Sequence, residues 1–76
     1  DDFRVPYQVS RKGINLEFPR DMVGMGFDIL AGDEYLFTAT VGKSGLIRLR
    51  RGLELTDILL DAIDENIGIF ARRRND

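Results

Sequence analysis

The side chains able to do chemistry in this 76-residue chain are charged ones, 11 Lys and Arg against 13 Asp and Glu, with no Cys and no His. Without cysteine there is neither a thiol nucleophile nor a disulfide. Without histidine the commonest general base and metal ligand is missing, and a structural zinc site, which draws on Cys and His, is not expected. Ser10 and Ser44 therefore have no imidazole to activate them. Asp33 beside Glu34, and Asp61 with Asp64 and Glu65, offer carboxylate pairs. Acid–base work needs a cleft that drives such pKa values apart, and a chain this short has little room for one. Gly42-Lys43-Ser44-Gly45 has the look of the end of a phosphate-binding loop. The full loop needs an earlier glycine and a following helix, and here a strand pattern follows. Neither an enzyme nor a cofactor or metal site is expected.

What remains is positive charge in clusters. Residues 1–20 carry Arg4, Arg11, Lys12 and Arg20 against Asp1, Asp2 and Glu17. Residues 21–40 hold four acids and no base, and residues 41–60 supply Lys43, Arg48, Arg50 and Arg51 against Glu54 and Asp57. The net charge of −2 counts against nucleic acid, but phosphates meet the local patch rather than the sum. For Arg48, Arg50 and Arg51 the plainer reading is a strand edge guarded by charge. Arg72-Arg73-Arg74 reads as a charged, frayed terminus.

The elements that must position these groups follow from hydrophobic period. Phe3, Val5, Tyr7 and Val9 alternate with polar residues, as a half-buried strand does. Arg11-Lys12-Gly13 then makes a turn, and Ile14, Leu16 and Phe18 form a second strand. Pro19 starts one turn of helix that Gly24 and Gly26 end. Phe27, Ile29 and Leu30 tuck beneath the hairpins. Ala31-Gly32-Asp33 turns into a third strand, Glu34 to Val41, with Tyr35, Phe37 and Ala39 on one face. Gly42 to Gly45 makes a hairpin turn into a fourth, Leu46 to Arg51. Beyond Gly52, Leu55, Ile58, Leu59, Ala62, Ile63, Ile67 and Phe70 recur at helical spacing, with Thr56 as N-cap and acids opposite. Gly68 weakens the last turns, so the helix is expected to stop near Asn66. The reading is two parts, residues 1–52 and a helical tail, 53–76.

Seventy-six residues bury only about 60% of the unfolded chain's surface, so such a domain gains from association. No apolar stretch reaches the roughly 18 residues of a membrane span, and no signal peptide is visible. A cytoplasmic protein without membrane contact is the expectation.

The ordered set Gly13, Ile14 to Phe18, Pro19-Arg20, Gly26-Phe27, Gly32-Asp33 and Leu46 to Arg51 resembles the SpoVT/AbrB-like swapped-hairpin domain family. The resemblance covers roughly residues 3–51. It implies a mainly β fold in which two chains exchange hairpins into one small β-barrel dimer, with a short central helical turn and here a C-terminal amphipathic helix. It further implies a transcriptional regulator binding double-stranded DNA as a homodimer. Carried over by position, Arg4, Arg11, Lys12 and Arg20 would then meet phosphates and base edges. The competing reading is an antitoxin or an oligomerisation module, with the stripe Leu55, Ile58, Leu59, Ala62, Ile63, Ile67 and Phe70 docking a toxin or another partner.

Overall fold

A computed structural model describes residues 1–74 of the chain. In order it contains β1 (Asp2–Arg4), β2 (Tyr7–Ser10), β3 (Gly13–Glu17), a 3₁₀ turn (Arg20–Met22) and β4 (Gly26–Ala31). There follow β5 (Glu34–Thr40), β6 (Leu46–Arg50), α1 (Glu54–Asp64) and β7 (Ile69–Arg73). The fold is mainly β, with antiparallel sheets, a central helical turn and one α-helix. The strands form a four-stranded sheet, β1-β7-β4-β5, and a three-stranded sheet, β2-β3-β6. Both sheets are open, so the expected closed barrel does not form among the described residues, and β3 takes β6 of its own chain as partner.

One core joins the two sheets and the helix. Phe27, Ile29, Ile69 and Ala71 come from the larger sheet, Ile14, Leu16, Ile47 and Leu49 from the smaller, and Leu59 and Ala62 from α1. At one end Phe18 stacks on Phe27, ring centroids 5.2 Å apart, and Phe3 meets both rings edge-on. Such aromatic pairs add to the area they bury, and these three tie β1, β4 and the segment after β3 together.

Several expectations change for identifiable reasons. The run Phe3 to Val9 is two strands: Val5 and Pro6 carry the chain from one sheet to the other, with the Val5 amide donating to the Ile69 carbonyl at 2.9 Å. Phe27, Ile29 and Leu30 belong to a strand, β4, at the heart of the larger sheet. Tyr35 does not share a face with Phe37. The register shifts at Ile29/Leu30, leaving Leu36 as the extra residue, and the Tyr35 hydroxyl comes 2.9 Å from the Thr38 hydroxyl. A bulge of this kind re-aims the side chains beyond it. Gly42 to Gly45 is not a hairpin turn, since β5 and β6 lie in different sheets.

The helix starts earlier and stops sooner than its apolar stripe suggests. Leu53 occupies the N-cap position, and Thr56, inside the first turn, is fully buried with its hydroxyl donating to the Arg50 carbonyl. A buried hydroxyl needs such a partner, and this one ties α1 to the end of β6. At the other end the Ile67 amide reaches the Ala62 carbonyl and the Asn66 amide reaches that of Ile63. Asn66 sits in the left-handed region at φ 63°. This is the paired C-terminal closure that reverses a chain after a helix. Ile67 therefore lies in the connection and Phe70 in β7, off the helix. Arg72 and Arg73 lie in that same strand, which threads between β1 and β4, so these arginines are held in the sheet instead of frayed. No helix among the described residues is long and apolar enough to cross a membrane.

Candidate nucleic-acid interface

The outer face of the three-stranded sheet is set by register. Because Ile14 and Leu16 point into the core, Gly13, Asn15 and Glu17 of β3 point out; because Ile47 and Leu49 point in, Arg48 and Arg50 of β6 point out. Pairing then lines up Gln8, Asn15 and Arg48 in one row across the sheet, and Ser10, Gly13 and Arg50 in the next. With strands about 4.8 Å apart, each row spans roughly 10 Å. The tight turn between β2 and β3 adds Lys12 at the end of the second row.

These residues line a groove of about 490 Å³, whose lining includes Ser10, Lys12, Asn15, Arg48 and Arg50 and no acidic residue. Gly13 forms part of its lining. A Cβ there would run into the Leu49 carbonyl oxygen and the Arg51 nitrogen, and φ is +141°. Only glycine lets β3 approach β6 this closely. Arg51 holds the neighbouring turn in place. Its guanidinium donates to the Arg11 carbonyl at 3.0 Å and the Ser10 carbonyl at 2.8 Å, while its amide donates to the Lys12 carbonyl at 2.8 Å. Arg51 is thus a support, and Lys12, Arg48 and Arg50 are the cations it helps to present. Among the described residues those three form no ion pair.

The other basic residues are spent differently. Arg72 pairs with Asp2 through two hydrogen bonds of 2.8 and 3.0 Å, and Arg74 reaches Asp28 at 3.3 Å. The Arg72 hydrogen bond holds the Asp2 carboxyl below its ordinary value, and the same bond raises Arg72. Arg4 lies over the Phe70 ring at 5.8 Å, on the larger sheet. It also borders a separate apolar groove of about 330 Å³ with Phe3, Pro6, Phe18 and Met22. Arg20 stands in the 3₁₀ turn. Of the four expected contact residues, Arg11 and Lys12 are thus on the turn beside the polar groove, while Arg4 and Arg20 are on other elements.

Arg48 and Arg50 were legible as outward residues of a strand, but their partner strand was not, because β6 meets β3 across more than thirty residues of sequence. Of the stripe expected to dock a partner, Leu59 and Ala62 are buried in the core, Ile63 is half-buried against it, and Leu55 and Ile58 remain exposed. Comparison with protein-family models, with curated proteins and with solved structures finds no match to this chain.

Proposed function

We propose that this chain binds double-stranded DNA through the outer face of its three-stranded sheet, with Lys12, Arg48 and Arg50 on phosphates and Gln8 and Asn15 between them. The supporting observation is the register that sets two arginines of β6 beside the β2–β3 turn, over an open groove without a carboxylate. Arg11 flanks the groove from the same turn. Duplex fits better than single strands, since the outward positions Gln8, Ser10, Gly13, Asn15, Glu17, Arg48 and Arg50 include no aromatic ring for base stacking. Three or four phosphate contacts give modest, salt-sensitive affinity.

A titration of labelled duplex by fluorescence anisotropy at several salt concentrations tests this. With three contacts, log K should fall against log salt with a slope of about −3. Replacing Arg48 and Arg50 by Ala, both at exposed positions, should cut that slope by about 2. Binding that ignores this double change, or no binding at low salt, would overturn the proposal. A second reading, a protein partner on α1, rests on Leu53, Leu55 and Ile58, which are 51%, 37% and 38% exposed. It expects a flat titration, and loss of a co-purifying protein when Leu55 and Ile58 become Ser.

A further inference from the structure

The smaller sheet is sealed on one side and open on the other. On the β6 side, Ile47 and Leu49 are 5% and 9% exposed. On the β2 side, Tyr7 lies opposite Leu16 and Val9 opposite Ile14, so both point towards the core. Yet Leu16 and Ile14 are 0% and 1% exposed while Tyr7 and Val9 stand at 37% and 47%. Among the described residues, no strand lies beyond β2. Edge strands are commonly guarded by a charge or a bulge; Tyr7, Gln8, Val9 and Ser10 have neither, and only Pro6 bounds them.

We propose that a second copy of this chain adds at this edge, β2 running antiparallel to its counterpart about a two-fold axis, to make one six-stranded sheet. A two-fold contact covers Tyr7 and Val9 of both copies in a single step. Charge at the two ends of β2 favours this occupant. Glu17 lies beside the start of the strand, its amide donating to the Pro6 carbonyl at 2.9 Å, and Arg11 and Lys12 follow its end. Antiparallel pairing brings the basic end of each copy to the acidic end of the other, twice. Four residues a side make an interface smaller than the standard size, so the dimer is concentration-dependent. The proposal stands whatever the outer face binds.

Sedimentation equilibrium of the full chain should show a mass approaching twice 8.6 kDa as concentration rises. Val9→Lys, at an exposed position, should weaken association at least about tenfold with an unchanged circular dichroism spectrum. The chain has no cysteine, so Arg48→Cys carries a single spin label. Across the six-stranded sheet the two labelled backbones would lie five strand spacings, or about 24 Å, apart. A monomer at concentrations up to about 1 mM, a dimer indifferent to Val9→Lys, or labels well away from that separation would each overturn the proposal.

Discussion

At Gly13 a single hydrogen atom decides whether two strands can meet. The residue opens β3, lies opposite Arg50, and has the backbones of Leu49 and Arg51 where a side chain would go. Gly13→Ala adds both a collision with immobile backbone and a φ that side chains resist, so unfolding in urea should register a loss of at least about 3 kcal/mol. Gly52→Ala, where a Cβ meets open space, should lose less, since only backbone strain opposes it. Asp2 supplies a contrasting case, at the surface. Its carboxyl is held low mainly by the hydrogen bond from Arg72. A depressed folded value means that the unfolded chain takes up the proton first. The stabilisation is therefore complete above the ordinary 3.8 and is lost as pH falls through the folded value. Proton NMR should find Asp2 titrating below that value, and Arg72→Gln should return it there.

At the scale of elements, β7 is the strand that most changes the picture. It lies between β1 and β4, pairing Asp2 with Arg72, and Arg72 in turn with Asp28. With Thr38 opposite Asp28 on β5, a polar row crosses all four strands, and the Thr38 hydroxyl donates to the Asp28 carboxylate at 2.7 Å. The sequence signals for β7 were present but outvoted. Ile67, Ile69 and Ala71 alternate, yet Ile67 and Phe70 also continue the helical spacing of Leu59 and Ile63. Asn66 resolved the conflict by taking the left-handed conformation that ends α1 and turns the chain back. Removing residues 67–76 should leave β1 without its partner and expose the flank of β4. Cooperative thermal unfolding should then disappear, whereas loss of a detached tail would leave the transition in place.

For the whole molecule, the disposition of charge matters more than its sum. The net charge is −2, but Arg72 and Arg74 pair with Asp2 and Asp28 at the larger sheet. Arg48 and Arg50 of the smaller sheet form no ion pair among the described residues and border a groove whose lining holds no acid. The two sheets also differ in how completely they are covered, since Tyr7 and Val9 of β2 leave inward apolar side chains in solvent. A dimer joined at that edge would keep Arg48 of each copy beyond the screening length of about 10 Å, with Gln8 and Asn15 of both copies between them. The face proposed for DNA would become one continuous surface.

Local physics was enough to determine much of this protein from sequence. Alternation marked β3, β5 and β6, Pro19 and the glycines bounded the short helical turn, and Gly32-Asp33 made the β4–β5 turn. Tertiary structure alone decided which strands distant in the chain are neighbours. Strand period records which side of a strand is apolar but not which distant strand lies beside it. For that reason the pairing of β6 with β3, the passage of β7 between β1 and β4, and the gathering of Lys12, Arg48 and Arg50 on one face all depended on contacts between residues far apart in the chain.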